Sequence, residues 1–336
     1  MSSAEHQRPE RMRVYIVEQP GGPFIQSDLP RPAPGSGQVL VRIHASGVNP
    51  LDTKIRAGKA AHANQPLPAI LGLDMAGAVE AVGSDVTTFR AGGEVYGMVG
   101  GVGGHQGTLA EFVAASADLI AHKPKSLSMR EAAALPLIAI TAWEGLIDRA
   151  NVHAGQKVLI HAGAGGVGHI AVQLAKANGA EVFATVSADK RSIVEGYGAT
   201  PIDYRMLTTE QYVEQHTQGE GFDIVYDTVG GATIDASFLA VKRYTGHAVS
   251  CLGWSTHSLA PLSFRGATYS GVFTLAPLLT GIGHTNHGRI LREVAALADS
   301  SKLKPLLNQQ RFTATDITAA HALVESGAVG KVVVEM

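Results

Sequence analysis

His161-Ala162-Gly163-Ala164-Gly165-Gly166-Val167-Gly168 stands between a short apolar run and an amphipathic segment, and its reading decides the fold. Upstream, Gln156-Lys157-Val158-Leu159-Ile160 reads as a buried strand. Downstream, Val167, Ile170, Ala171, Leu174 and Ala175 recur at helical spacing. The turn between them is a G-x-G-x-x-G on Gly163, Gly165 and Gly168, with Gly166 and Val167 inside it. Such glycines allow a tight turn, close backbone approach to a pyrophosphate, and close packing of helix on strand. The helix that follows offers N–H groups and a partial positive charge to phosphates. A strand–turn–helix of this kind predicts a dinucleotide site.

Outward from this turn, strands and helices alternate. Further strands are expected at Val182–Ser187, Thr200–Asp203, Phe222–Thr228, His247–Leu252 and Ala267–Thr274. Repeated β-α units of this length predict an α/β fold with a doubly wound parallel sheet, the ligand lying at the carboxyl ends of its strands. A helix start is expected at Ser128, with Glu131 three residues on as in a capping box. Before about Pro124 the pattern differs: short strands such as Arg13–Val17, Gln38–Ile43 and Ala78–Val82 are broken by Pro30–Gly35 and Gly100–Gly104. This is a β-rich section. The end of the sequence carries a short helix, Ile317–Ser326, and a strand, Lys331–Glu335, whose place the pattern leaves open.

With 336 residues the chain has room for two domains with cores of their own. A net charge of -2 gives no basic surface for nucleic acid. The longest apolar runs are too short or too interrupted by proline to span a bilayer. The stretch Met1–Arg11 is polar and lacks the apolar core of a signal peptide. Cys251 is the single cysteine, so no disulfide within the chain and no cysteine-based zinc site can form. Its apolar surroundings predict a packing role, and this cysteine usage fits a reducing, cytoplasmic setting. His284 and His287, in the Gly-rich stretch Gly281–Gly288, are expected in a solvated loop.

Several further segments resemble one family. Gly47-Val48-Asn49-Pro50-Leu51-Asp52-Thr53-Lys54-Ile55-Arg56-Ala57-Gly58 is similar to the GVNPxDxxxRxG segment of the zinc-independent quinone oxidoreductases, in the medium-chain dehydrogenase/reductase superfamily. Glu131–Pro136 with Thr141-Ala142-Trp143, Phe222–Gly231 and the closing Gly330-Lys331-Val332-Val333 also match. The resemblance spans nearly the whole chain. It implies a GroES-like β-rich catalytic domain from residues 1–125 and 302–336, and a Rossmann NADP-binding domain from 126–301. It also implies a homodimer through the edge of the Rossmann sheet, supplied here by Ala267–Leu279. Zinc-dependent relatives carry a metal-binding Cys in the first segment and a GHE triplet further on. Here those places read Val48-Asn49 and Gly72-Leu73-Asp74, so no catalytic zinc is expected.

An NAD site usually has an acidic residue at the end of the second strand. This one ends Thr185-Val186-Ser187, followed by Ala188-Asp189-Lys190-Arg191. A hydroxyl and cations suit the 2′-phosphate of NADPH, and the resemblance adds Lys190 and Tyr204 as its ligands. The alternative is that Lys190 and Arg191 are surface charges at a helix start. For the nicotinamide end the resemblance implies Asn49, Thr141, Val229, Leu252 and Phe273, with Phe273 open to a plain core role. Many relatives place a tyrosine at Lys54. A lysine there either donates to a developing oxyanion or points to solvent, while Asp52 holds the loop. His105 is read as a flap residue. The expected function is NADPH-dependent reduction of quinones or other α,β-unsaturated carbonyl compounds, with Asn49, Lys54 and Thr141 as candidate catalytic residues. A reductase dedicated to one enoyl or alkenal compound and a non-enzymatic NADPH-binding sensor are the alternatives.

Overall fold

The computed structural model describes residues 10–336. The polar start therefore lies mostly outside the described residues. The chain forms two compact units. One comprises the residues up to Pro136 together with Leu275–Ala295 and Leu307–Met336; the other comprises Leu137–Thr274 and Ala296–Leu306.

In the first unit the long strand Gln38–Val48 is central, pairing antiparallel with Asp74–Val82 on one side. On its other side it pairs with Phe112–Ser116 near its start and with Val332–Glu335 near its end. The terminal strand therefore returns to the first part of the chain, with Val332 opposite Val48 and Glu335 opposite Ala45. Glu94–Met98 and Ile120–His122 extend this sheet, and Ile25–Pro30, Arg11–Val17 and Ala69–Ile70 form a second, smaller one. The β-rich reading holds. Near the sheet, the expected capping box starts the helix Met129–Ala133, with Ser128 N donating to Glu131 Oε2 at 2.8 Å.

The second unit contains a parallel sheet, its strands here numbered β1 (Lys157–Ile160), β2 (Glu181–Val186), β3 (Thr200–Asp203), β4 (Ile224–Asp227), β5 (His247–Ser250) and β6 (Thr268–Gly271). Their order is β3-β2-β1-β4-β5-β6. This is the doubly wound arrangement, in which the order reverses between β1 and β4 and a crevice opens at the carboxyl ends. The inner strands β1, β2, β4 and β5 are buried along most of their length, as strands of a parallel sheet covered on both faces are. One side of the sheet buries Leu159, Phe183, Phe222, Val225 and Phe238. Phe183 and Phe222 meet edge to face at 5.3 Å, a geometry worth about 0.5–1.5 kcal/mol beyond area burial.

One expectation fails here. Gly281–Gly288 is no solvated loop: the helix His284–Asp299 begins inside it, and His287 is wholly buried. The physical reason is the apolar stripe Ile290, Leu291 and Val294, which buries completely. Tyr96 also donates its hydroxyl to the Leu291 carbonyl at 2.6 Å. Burial holds the His287 imidazole down at about 4, so it is neutral.

Candidate active site

The glycine turn has the form a phosphate needs. Thr185 of β2 anchors it, accepting Ala162 N on Oγ1 and Gly163 N on its carbonyl, both at 3.0 Å. The helix Gly166–Ala177 then starts from Gly165 with no side chain capping it. Gly165 and Gly166 are exposed, Val167 is half-buried, and Gly168 is buried. A Cβ on Gly168 would lie 2.1 Å from the Ala162 carbonyl oxygen, so only glycine lets the helix approach the turn this closely. His161, just before the turn, is buried and neutral, its imidazole held down to about 4 by burial.

At the carboxyl ends of β2 and β3, Val186 lies opposite Asp203, which brings Ser187, Lys190 and Tyr204 to neighbouring strand ends. The Ser187 hydroxyl donates to the Asp189 carboxylate, and with Lys190 and Arg205 nearby this holds Asp189 below its usual range. Arg205 lies over the Tyr204 ring, 5.6 Å from its centre, and that ring is 53% exposed. Two cations and an accessible aromatic face are therefore grouped here, beside one ionised carboxylate. Arg205 belongs to the group, although the sequence reading named only its neighbour.

At β4, β5 and β6 the carboxyl ends present apolar side chains. The carboxylate of Asp227, fully buried, accepts Val229 N and Gly230 N at 3.0 Å on Oδ1 and the Ser250 hydroxyl at 2.7 Å on Oδ2. Gly230 adopts φ +82°, and a Cβ there would come within 2.9 Å of the Leu252 carbonyl. This buried anchor presents Val229, 49% exposed, on a fixed turn beside Leu252. Phe273 is 40% exposed and stands edge-on to Trp254, with ring centres 6.5 Å apart. It is not core. Thr141 is nearly buried; its hydroxyl donates to the Leu137 carbonyl at 2.7 Å and lies 2.8 Å from Thr274 Oγ1.

In the first unit, Asn49 caps the short helix Pro50–Arg56 and is wholly buried. Its amide is committed to neighbours: Nδ2 donates to Asp74 at 3.0 Å, and Oδ1 accepts from the Lys331 ammonium. Lys331 also donates to the Val48 carbonyl at 3.1 Å. Asp52 accepts Asn49 N at 2.7 Å, which is the loop-holding role expected of it. Burial pushes the Asp52 carboxyl up to about 7, with Asp74 adding to the rise, against the hydrogen bond from Asn49 N and the charge of Lys331. The two segments comparable with zinc-ligand positions, Val48-Asn49 and Gly72-Leu73-Asp74, thus gather around a lysine ammonium. Among the described residues no group of three His, Cys, Asp or Glu is placed to hold a metal ion. Lys54 is exposed, and its charge adds to the burial that lowers the His62 imidazole. A pocket of about 270 Å³ in the same unit is lined by residues from Ile55 to Pro66. His105 is tied down, its Nε2 3.0 Å from the Leu278 carbonyl oxygen.

Comparison with known proteins agrees with this geometry. The alcohol dehydrogenase GroES-like domain family matches residues 35–125, and the zinc-binding dehydrogenase family matches residues 197–334. The chain is 33% identical to the chloroplastic NADPH-dependent alkenal/one oxidoreductase of Arabidopsis thaliana, over 99% of this chain and 81% of that protein. Among solved structures it resembles an alcohol dehydrogenase superfamily protein from Novosphingobium aromaticivorans at 55% identity and a TM-score of 0.94, covering 97% and 99% of the two chains. It also resembles the quinone oxidoreductase of Coxiella burnetii at 30% identity and a TM-score of 0.81, covering 97% and 100%. The chain belongs to the quinone oxidoreductase family of the medium-chain dehydrogenase/reductase superfamily.

As a member of that family it is an oxidoreductase working with a nicotinamide dinucleotide. The residues present fit that group: an uncapped, glycine-lined helix start for the pyrophosphate, and an apolar shelf of Val229, Leu252 and Phe273 at the far strand ends. Besides Arg205, three residues of the arrangement escaped the sequence reading as parts of a site. Asp227 and Lys331 lie in quoted family segments, but only the fold shows what they hold. Glu144, next to Thr141-Ala142-Trp143, is pushed up to about 7 mainly by burial.

Proposed function

We propose that this oxidoreductase uses NADPH to reduce quinones and other α,β-unsaturated carbonyl compounds. The observation that carries the cofactor choice is the group of Lys190, Tyr204 and Arg205 at the ends of β2 and β3. Two cations there suit a 2′-phosphate through charge-assisted hydrogen bonds, and they outweigh the single carboxylate of Asp189. The substrate class is that named for the Arabidopsis relative and for the Coxiella quinone oxidoreductase.

When bound, the nicotinamide supplies a hydride. The chain's own part is to orient and to exclude water. Gly163, Gly165, Gly166, Val167 and Gly168 seat the pyrophosphate, Ser187 with Lys190 and Tyr204 flank the ribose, and Val229, Leu252 and Phe273 form a dry wall for the ring. Thr141 offers a hydroxyl at the reacting end. Asn49 holds the turn from which Lys54 projects, and Lys54 supplies a donor for negative charge on the acceptor oxygen. The protein acts as a cytoplasmic homodimer on this reading. The outer edge of β6 has no partner strand among the described residues, and a second copy would cover it. No described helix is long and apolar enough to cross a membrane.

The test is separate titration of NADPH and NADH onto the purified protein by nicotinamide fluorescence, followed by 1,4-benzoquinone. NADPH should bind more tightly by about 10-fold or more, as charge-assisted contacts of about 1.5–3 kcal/mol allow. Lys190→Ala should erase most of that preference and leave NADH unchanged. Equal binding of the two cofactors would defeat the assignment. A dedicated alkenal reductase would reveal itself by specificity constants for alkenals far above those for quinones.

A further inference from the structure

Within the second unit a carboxyl group, two hydroxyls and a carbonyl form a line. Glu144 Oε2 lies 3.4 Å from Thr274 Oγ1, which lies 2.8 Å from Thr141 Oγ1, which lies 2.7 Å from the Leu137 carbonyl oxygen. The helix Pro136–Trp143 continues into a π-helical turn, Glu144–Arg149. Such turns are uncommon and frequently mark functional positions. The Tyr226 hydroxyl of β4 donates to the Thr141 carbonyl at 2.7 Å and fixes the backbone where the helix widens.

Hydrogen counting gives the line a direction. A threonine hydroxyl has one hydrogen. Thr141 donates its own to the Leu137 carbonyl, so any hydrogen between Thr141 and Thr274 belongs to Thr274. With Glu144 ionised, Thr274 donates to it at 3.4 Å, which lowers the carboxyl against its burial; with Glu144 protonated, the carboxyl supplies that hydrogen and Thr274 donates to Thr141 instead. Only the protonated form points the line from Glu144 towards Thr141. Its 3.4 Å link is long, as hydrogen bonds of a relay often are before substrate binds.

We infer that Glu144 is the proton source of the reaction, delivering through Thr274 to Thr141. The inference rests on the proposed reduction of conjugated carbonyls, which consumes one proton for each hydride. After hydride addition the acceptor is an enolate. It takes the proton of the Thr141 hydroxyl, which turns from the Leu137 carbonyl to deliver it; Thr141 takes that of Thr274, and Thr274 takes that of Glu144. The carboxylate left behind is reprotonated from water. Each transfer breaks one O–H bond and forms another bond to hydrogen, so the sum is acceptor plus hydride plus one proton.

Burial is the largest cause of the rise of the carboxyl to about 7. From its own turn Asp148 raises it and Arg149 lowers it. From the sheet side, Tyr226, Cys251 and Asp227 form one interacting group with it: burial raises Tyr226 well above its usual value, and Cys251 and Glu144 add to the rise. Cys251 is itself pushed up to about 12, mainly by burial, so it stays a thiol. The competent form of Glu144 is the protonated one, so turnover falls as pH rises through about 7.

The test compares wild type with Glu144→Gln, Thr274→Val and Thr274→Ser, using NADPH and one cyclic enone. In wild type kcat should decline above about pH 7. Glu144→Gln should lower kcat by about 10²-fold, within the range of general acid catalysis, remove that decline, and change NADPH affinity by less than about 2-fold. Thr274→Val should act like Glu144→Gln, and Thr274→Ser should restore the rate. Independently of turnover, infrared difference spectra between pH 6 and pH 8 in an Asp52→Asn background should show a protonated carboxyl band, absent when Glu144→Gln is added. Full activity with an unchanged pH profile in either Glu144→Gln or Thr274→Val would overturn the relay and leave the proposed function standing. So would a carboxyl band missing from the Asp52→Asn protein or undiminished by Glu144→Gln. A wild type that reduces no conjugated acceptor would overturn the proposed function and the relay with it.

Discussion

Lys331→Met is expected to cost the first unit about 3–5 kcal/mol, the range for removing one partner of a buried charge pair. Methionine nearly matches lysine in length, so the volume stays filled and the loss is electrostatic. The Val48 carbonyl and Asn49 Oδ1 lose their donor, and the buried Asp74 carboxylate loses its counter-charge. The defect should also depend on pH in a defined direction. Asp52 is raised in the folded state from 3.8 to about 7. Between those values the folded chain holds a proton that the unfolded chain releases, so this group's contribution to stability falls as pH rises through the window and is flat above it. Lys331 is one of the influences that lower Asp52. Without it the carboxyl titrates higher and the window extends upward. Lys331→Met should therefore be least harmful near pH 5 and most harmful near pH 8, and Asp52→Asn added to it should recover part of the loss at pH 8. Denaturant unfolding at the two pH values measures both effects. A loss below about 1 kcal/mol, or one equal at pH 5 and pH 8, would show that the ammonium does not hold this network together.

What the sequence disclosed and what it withheld follow from the range of the interactions. The β1–turn–helix unit, the Ser128 capping box and the sites of all six parallel strands depend on residues within a few positions of each other, and periodicity reads them directly. The helix Pro50–Arg56 was legible too: Asn49, Pro50 and Asp52 form an N-cap, a proline at the first position and an acid at the third. Its residues drew attention as chemistry, and their capping role was left unread. Lys331 is different in kind. It begins a strand that any reader would assign, yet its ammonium meets a carboxamide 282 residues earlier. Only the pairing of Val332 with Val48 puts it there. Glu144 looks like a helix-surface charge in the sequence, and the π-helical turn that sets it beside Thr274 leaves no local mark. His287 shows the opposite error, since flanking glycines outweighed an apolar stripe that in fact buries the helix.

The glycine turn allows a sharper test than motif matching. In Gly168→Ala the new Cβ would stand 2.1 Å from the Ala162 oxygen and 3.0 Å from the Gly163 Cα, and both are backbone atoms. Helix propensity alone would favour the alanine by about 1 kcal/mol, so the sign of the effect is set by that clash. The turn cannot simply yield, because Thr185 holds Ala162 N and Gly163 N from β2. The helix start must move outward instead, at a cost of about 1–3 kcal/mol for overpacking. Its N–H groups then move relative to a bound pyrophosphate, and a misplacement of about 1 Å at such a site weakens function about 10²-fold. NADPH binding should therefore fall far more than stability does. Gly196→Ala is the control: it ends the helix Arg191–Gly196, and its Cβ would meet nothing within 4 Å. That variant should be neutral or more stable by about 0.4–1 kcal/mol, with cofactor affinity unchanged. Fluorescence titration of both variants distinguishes the cases. Wild-type affinity in a folded Gly168→Ala protein would mean that the phosphates rest somewhere other than this helix start, whatever the spacing of its glycines.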